Sequence, residues 1–438
     1  MKAHYLFFVI FIFLAACHGQ PIEMEIPIHA DEGYEQTEVN NDERIQLEVW
    51  SYYHDGWEET FQDYQEEHPN IEFSITTFEY DDYYEAYFNA IATGDVPDIM
   101  VIDSPYLASF KSMDGFENLL DEPYLAGQHK HNFPEALWEV SLSLDGESLL
   151  AMPFNTSPLV TYYRADIMED YGFPSEPDEL AEYMEEPENW FLIGETLRRD
   201  DKWILQWPIE VIRLYESTRG FYNNEMKLVR DDGEFIQAVN HAQHVKDNGM
   251  FPGLDIYGWN GREAIRNDEY VMIYLGTWGA DYIKQIAPEQ EGKWRVTRLP
   301  FNLYGWTNSV NLAIPEASTN KLAAWDFVEY YTTERMMGGL IDSVPAYIPA
   351  RGNEEVLSFE NPFFGGQLTQ QLYEDMMSKT EESFLTPLDF KTQHIWDNTI
   401  YDALELGLRP RQILDALTEN IEYELAEDME ILRGSVTK

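Results

Sequence analysis

Residues 45–103 alternate between two apolar periods, and this alternation restricts the fold more than any other feature of the chain. Ile45, Leu47 and Val49 recur at every second position, the period of a half-buried strand. In "WEETFQDYQEEHPN", Trp57, Phe61 and Tyr64 recur at spacings of four and three, so they share one face of a helix that Pro69 closes. Ile71, Phe73 and Ile75 return to strand spacing. Tyr84, Phe88 and Ile91 return to helix spacing, and Gly94 is placed as a C-terminal stop. "PDIMVID" (97–103) is a short apolar strand ending at Asp103. The order β-α-β-α-β predicts a parallel sheet joined by crossover helices.

The pattern is less regular beyond residue 103. "SLLAMPFNTSPLVTYYRADIMEDYGF" (148–173) predicts two apolar strand pieces around "PFNTSP", followed by a mostly helical, Trp-rich region to about 250. "EYVMIYLGTWGADYIKQI" (269–286) reads as strand, turn and helix, and 294–318 as strand, loop, strand. From Ser318 or Thr319 as cap, a helix is predicted with Ala324, Val328 and Tyr331 on one face and Gly338–Gly339 at its end. In it, Trp325 falls at core spacing. A last helix runs from Pro410 through Ile413, Leu417, Ile421 and Leu425.

The N-terminus carries Lys2, an apolar run from Tyr5 to Phe13 and then Leu14-Ala15-Ala16-Cys17. The run is shorter than the roughly 20 residues that cross a bilayer and has the length of a signal peptide. Residues 1–16 are read as that signal. The acidic stretch 17–44, which lacks a hydrophobic period, is read as a flexible tether. Cys17 is the only cysteine, so disulfides, thiolate metal sites and a cysteine nucleophile are excluded from the rest of the chain.

The formal net charge of −53 repels phosphate backbones and argues against nucleic acid as a partner. The acids are spread along the whole sequence, as on a solvated surface suited to a salty medium. With 81 Asp and Glu residues, some pair always lies at a glycosidase-like separation, so carboxylate pairs carry little information. Dinucleotide, phosphate-loop, zinc-protease, serine-hydrolase and EF-hand motifs are all absent from the sequence. His241 and His244 stand at i, i+3, which alone does not define a metal site, and "HKH" at 129–131 reads as a surface turn. No cofactor is implied.

Aromatic residues at strand ends are more informative. Trp278 lies between Gly276 and Gly279 just after an apolar strand, Trp306 follows Gly305, Trp259 follows Gly258, and Trp50 and Tyr53 sit where the first strand ends. Loops at the carboxyl ends of strands in an open α/β sheet are where ligands bind. Indole and phenol rings stack on the apolar C–H faces of sugars while neighbouring Asp, Asn and Thr groups take the hydroxyls. The other reading of these rings is ordinary core.

The ordered stretches "LEVWSYYHDGWEETFQDYQEEHPNIEF", "YEAYFNAIATGDVPDIMVID", "MPFNTSPLVTYYRADIMEDYGF", "YVMIYLGTWGADYI" and "NLAIPEASTNKLAAWDFVEYYTTE" resemble extracellular solute-binding proteins of family 1. These are lipoprotein receptors of ABC sugar importers, similar in plan to maltose-binding protein. Leu14-Ala15-Ala16-Cys17 resembles their lipobox, in which the cysteine is lipidated. The resemblance implies a two-lobed α/β fold of the periplasmic-binding-protein type II, with a hinge between the lobes. Residues 45–153 with 308–346 would form the N-terminal lobe, and 154–307 with 347–438 the C-terminal lobe. Ligand would bind in the cleft, lined by Tyr53, Asp103, Ser104, Asn155, Thr277, Trp278 and Trp306, with Trp259 and Arg351 as further candidates. The "P-x-TW-x-E" stretch common in the family is replaced here by "PSEPDELAEYM", in the half that helps choose the ligand.

The implied function is a membrane-anchored, extracytoplasmic, monomeric receptor that delivers a sugar or oligosaccharide to the transmembrane subunits of an ABC permease. The same fold closing on a peptide, polyol or osmolyte, and a secreted glycoside hydrolase, are the alternatives. If the acidity is an adaptation to salt, the thermal unfolding midpoint rises from very low to very high salt; equal stability at both ends contradicts it.

Overall fold

The computed structural model describes residues 44–381 and 383–436. Cys17, the signal stretch and the acidic stretch up to residue 43 lie outside the described residues. The first three strands are β1 (Ile45–Ser51), β2 (Ile71–Thr77) and β3 (Ile99–Asp103). Helices α1 (Trp57–Glu67) and α2 (Tyr83–Thr93) cross between them, and α3 (Ser104–Phe110) follows. β1 pairs in parallel with both β2 and β3, as the alternating periods predict. The stripe Trp57, Phe61, Tyr64 is buried and packs with Phe73 and Phe327.

The sheet continues through β4 (Met152–Arg164), β5 (Met272–Leu275), β6 (Trp294–Thr297), β7 (Gly305–Ala313) and β8 (Val344–Pro345). The strand order is β2-β1-β3-β7-β4-β5, with β6 and β8 also on β4. β7 runs antiparallel to β3 and to the first half of β4. The second half of β4 pairs antiparallel with β5 and β6. β4 and β7 therefore belong to both halves of the molecule, and their pairing persists to Leu159–Gly305. The first half holds β1–β3 and the helices Ser104–Phe110 and Lys321–Thr332; the second holds β5, β6 and the helices from Pro177 to Arg266. This is the mixed α/β, two-lobed architecture that the sequence implies.

Four local expectations are revised. Residues 148–173 do not form two strands. β4 is one strand, because Pro153 and Pro158 fall at its two register shifts with β7, where no ladder N–H is required. On α2 the buried stripe is Tyr83, Tyr87 and Ala90, one residue before the expected one. Tyr84 instead stacks on Tyr106 and meets Phe110. The helix Lys321–Thr332 starts from Asn320; Ser318 Oγ donates to Asp98 (2.7 Å) and accepts from the Asn320 N–H (3.1 Å), ahead of the first helical residue. It stops at Thr332, with the Thr333 hydroxyl donating to the Glu329 carbonyl (2.6 Å). The C-terminal helix divides at Leu425 into Pro410–Glu424 and Ala426–Val436. Trp325 is buried, as its spacing predicts.

Trp57 shows what the core demands. It stacks on Phe61 and Tyr331 at 5.7 and 5.2 Å, yet its indole N–H is buried without a hydrogen-bond partner. Trp57→Ala is expected to lose ~3–5 kcal/mol of stability in urea unfolding. Trp57→Phe, which removes the orphaned donor along with some volume, is expected to lose less than ~1.5 kcal/mol. Similar losses in both variants contradict this account.

Candidate functional site

The carboxyl ends of β1 and β3 deliver a cluster of tyrosines around one carboxylate. Asp103 ends β3 and is buried. Its Oδ2 accepts a hydrogen bond from the Tyr80 hydroxyl (2.6 Å), and its Oδ1 accepts one from Asn308 Nδ2 (2.8 Å). The Asp103 backbone N–H donates to the Tyr83 hydroxyl (3.2 Å). Tyr52 stacks on Tyr83 at 4.9 Å and meets Tyr80 edge-on at 5.4 Å; Tyr53 stacks on Trp57 at 5.9 Å. Burial raises Asp103 to about 6, against the lowering effect of the Tyr80 and Asn308 bonds. Neutral donors rather than a cation hold this carboxylate.

The second wall comes from the end of β5. Gly276 is required there: a Cβ on it would lie 2.5 Å from Trp278 Nε1, 2.8 Å from Ser157 Oγ and 2.9 Å from Thr307 Oγ1. A Cβ on Gly279 would meet Leu275 and Tyr162 at 2.7 and 2.8 Å. The turn between these glycines is pinned by the Tyr162 hydroxyl, which reaches the Gly276 and Thr277 carbonyls at 3.0 and 2.9 Å. The Thr277 N–H donates to Ser157 Oγ (2.8 Å). Pinning the backbone turns the indole of Trp278 outward, 42% exposed, beside Tyr257 at 6.4 Å and 28°. Tyr257 in turn meets Tyr282 at 5.1 Å.

A polar ribbon links the two walls. Thr307 Oγ1 donates to the Ser157 carbonyl (2.8 Å) and contacts Asn308 Oδ1 (3.0 Å), while Asn308 reaches Asp103. Tyr80 and Tyr257 are 43% and 46% exposed, yet burial is the largest influence raising both phenols well above their usual range. Side chains that solvent reaches while protein surrounds them on most sides line a cleft.

The other expected site residues are distributed as follows. Trp259 begins the helix Trp259–Arg266 and is 75% exposed. Trp306 is only 4% exposed, and its indole N–H donates to Thr156 Oγ1 (2.9 Å); its place is in the packing of the β4–β7 crossing, not on the open wall. Ser104 Oγ accepts from the Ser309 N–H (3.0 Å), and Asn155 Oδ1 accepts from the Val310 N–H (3.1 Å). Thr277 is buried against Ser157 Oγ (3.1 Å). These three side chains hold the strand ends in place. Arg351 follows β8 and donates from Nε to the Pro345 carbonyl (2.8 Å).

The sequence reading missed Tyr52, Tyr80, Tyr83, Tyr257 and Asn308. The strand-end rule, applied to "FEYDDYY" after β2 and to "YGW" before the helix Trp259–Arg266, would have found most of them. His241 bonds Tyr215 (3.2 Å) and burial lowers it to about 4; His244 pairs with Glu195 (2.9 Å). Residues 129–131 lie in a 3-10 turn, where His129 contacts Glu329 (2.6 Å).

A sequence profile of bacterial extracellular solute-binding proteins matches residues 59–355. The chain belongs to this family. A lactose-binding protein from Rhizobium radiobacter is 24% identical over 343 residues, 72% of this chain and 76% of the relative. Two solved structures are similar in fold. One is a crystal structure of an extracellular solute-binding protein of family 1, with a TM-score of 0.71 at 16% identity, over 89% of this chain and all of that one. The other is the galacto-N-biose-/lacto-N-biose I-binding protein of the ABC transporter from Bifidobacterium longum, in complex with lacto-N-biose. Its TM-score is 0.70 at 16% identity, over 88% of this chain and 98% of that one. The family is one of binding proteins that act outside the cytoplasm. No helix among the described residues is long and apolar enough to cross a membrane.

The raised Asp103 carboxyl has a stability consequence. Between about pH 4 and 6 the folded chain holds this proton while the unfolded chain, at the usual 3.8, has largely lost it. The stability contribution of Asp103 is then highest below pH 4 and falls as pH rises through 6. Relative to Asp103→Asn, the wild type is expected to lose up to ~3 kcal/mol of unfolding free energy between pH 4 and 6.5. A difference that stays flat with pH, measured by urea unfolding, contradicts this.

Proposed function

We propose that the chain is the lipid-anchored receptor of an ABC importer and captures a sugar or oligosaccharide between its two lobes. The observation that carries this reading is the pair of clusters joined by one hydrogen-bonded ribbon: exposed Trp278 and Tyr257 at one end, and Tyr80 with Asp103 at the other. An indole and a phenol offer flat apolar platforms to the C–H faces of a pyranose. Asp103, Tyr80 and Asn308 offer the acceptors and donors that sugar hydroxyls need. The lactose-binding relative and the lacto-N-biose complex support a saccharide of this kind.

In this proposal Trp278, Tyr257, Tyr80 and Asp103 touch the ligand, and Tyr53 and Trp259 extend the walls. Ser104, Asn155, Thr277 and Trp306 keep the strand ends in register, and Arg351 steadies the connection after β8. The lobes are 45–153 with 308–346 and 154–307 with 347–438, and they close about the ligand by moving at the β4–β7 crossing. The closed form then presents its surface to the permease. Cys17 carries the lipid, and 17–44 acts as the leash of a monomer.

The energetics suit capture and release. Stacking contacts contribute ~0.5–1.5 kcal/mol each beyond area burial, and hydrogen bonds to ionised groups ~1.5–3 kcal/mol each. A few of each offset the ordering of the cleft and reach about −8 kcal/mol, near micromolar affinity.

A thermal-shift screen across disaccharides including lactose, longer oligosaccharides, peptides, polyols and osmolytes, followed by calorimetry, tests the reading. A saccharide is expected to bind without turnover, and Trp278→Ala is expected to lose ~10-fold or more in affinity. Binding confined to a non-sugar class, sustained hydrolysis, or unchanged affinity in Trp278→Ala overturns the corresponding part.

A further inference from the structure

The helix Asp389–Glu405 is fastened to the second half of the molecule. Its Trp396 indole N–H donates to Glu216 Oε1 (2.6 Å), and its Thr392 hydroxyl bonds the Tyr222 hydroxyl (2.7 Å). The segment leading into it passes so close to Gly220 that any Cβ there would collide with the Phe384 carbonyl. Yet the first turn of this helix reaches the first half. Phe390 packs against Tyr84 of α2 at 6.5 Å and 24°, and against Tyr106 of α3 at 6.3 Å and 36°. Tyr106 itself touches Tyr80 (5.7 Å) and Tyr83 (5.0 Å), the tyrosines around Asp103.

Beside this aromatic contact lies a cation in an unusual place. Lys111, just past the end of α3, is only 5% exposed. Its Nζ donates to the Glu139 carbonyl of the first half (3.1 Å) and to the Leu385 carbonyl (3.4 Å), and it sits 5.9 Å from the centre of the Phe384 ring. Burying an ammonium is unfavourable unless acceptors are brought to it. Here one acceptor comes from each side of the seam, so separating the halves breaks one of the two hydrogen bonds. Phe390, by contrast, is 62% exposed and contributes little to either core. Core packing does not account for a large exposed ring held against two tyrosines of the other half.

We infer that Phe390 and Lys111 form a closure latch: they tie the two halves together at the rim of the site, without touching the ligand, and set the fraction of chains closed before a ligand arrives. This rests on the reading of the chain as a receptor that closes. A latch of this kind raises affinity by populating the competent state in advance. It also connects to the site physically, because Phe390 bears on Tyr106, Tyr106 on Tyr80, and Tyr80 on Asp103.

The test needs no ligand. In the full chain with Cys17→Ser, spin labels are attached at two exposed positions, Glu85→Cys on α2 and Asp402→Cys on the helix Asp389–Glu405, and their separation is measured by pulsed EPR. One narrow, short distance is expected in this parent. Phe390→Ala and Lys111→Met are each expected to add a longer distance and lower the closed-to-open ratio roughly fivefold or more, the scale of two aromatic contacts. Distributions that superimpose on the parent's overturn the latch, as does a parent that is already mostly open. Phe390→Ala removes an exposed ring and decides the matter alone if Lys111→Met does not fold. Because no sugar is present, failure here leaves the ligand reading intact, and failure to bind any sugar leaves the distance result standing.

Discussion

The pairing of β4 with β7 is the constraint on which the rest of the molecule depends. A parallel β-α-β-α-β unit has a left-over edge, and here β7 covers it in the antiparallel sense and then extends beside β4 into the second half. Both site walls hang from this ribbon. Asn308 on β7 reaches Asp103 on β3, and Ser157 on β4 fixes the Thr277 turn beyond β5. Two proline-marked register shifts on β4 let the strand bend between its two sets of partners without losing either. A shift of the ribbon by one residue would reverse which side chains face the cleft, so the bulges and the Asn155 and Ser104 hydrogen bonds that hold them are part of the site.

The electrostatics of the site differ from those of the surface. The chain is strongly acidic, and most of its acids are exposed to water and salt. Asp103 is buried, and each of its oxygens accepts one hydrogen bond, from a phenol and from an amide. An Arg or Lys partner would lock the carboxylate in a strong ion pair. Neutral donors leave its remaining lone pairs open to a further hydroxyl donor, at the cost of a raised affinity for protons.

Much of this architecture was legible in the sequence, for a physical reason. Period-2 and period-3.6 patterns report burial on one face, so β1, α1 and β2 are readable residue by residue, while β3, buried on both faces, shows only as a short apolar run. Where both faces are buried the period disappears, and β4 was therefore read as two pieces. On α2 two adjacent apolar stripes compete. The deeper one was settled by Tyr83 meeting the Asp103 backbone, a contact between residues 20 apart that no local pattern contains. The aromatic candidates divided along the same line. Trp278 and Trp306 both stand within two residues of a glycine at a strand junction, yet one ring is exposed and the other is buried. The difference lies in Thr156, which takes the Trp306 indole N–H, and in the clamp of Tyr162 on the Thr277 turn. Those partners are about 150 and 115 residues away, so sequence neighbours could not tell the two rings apart.

The division of the walls between two halves has a consequence for recognition. In the proposed receptor neither half alone surrounds a ligand: the first offers a carboxylate and phenols, the second offers platforms. Selectivity then depends on the distance between the halves as well as on the residues, since a ligand must reach both to be held. Hydrogen bonds at the strand ends hold each wall internally, and the two halves are joined by the ribbon and along the seam where Asp389–Glu405 meets α3. In the proposed receptor affinity is set in two places, at the walls through contacts and at the seam through the population of the closed state, and substitutions at the two act independently unless they share Tyr106.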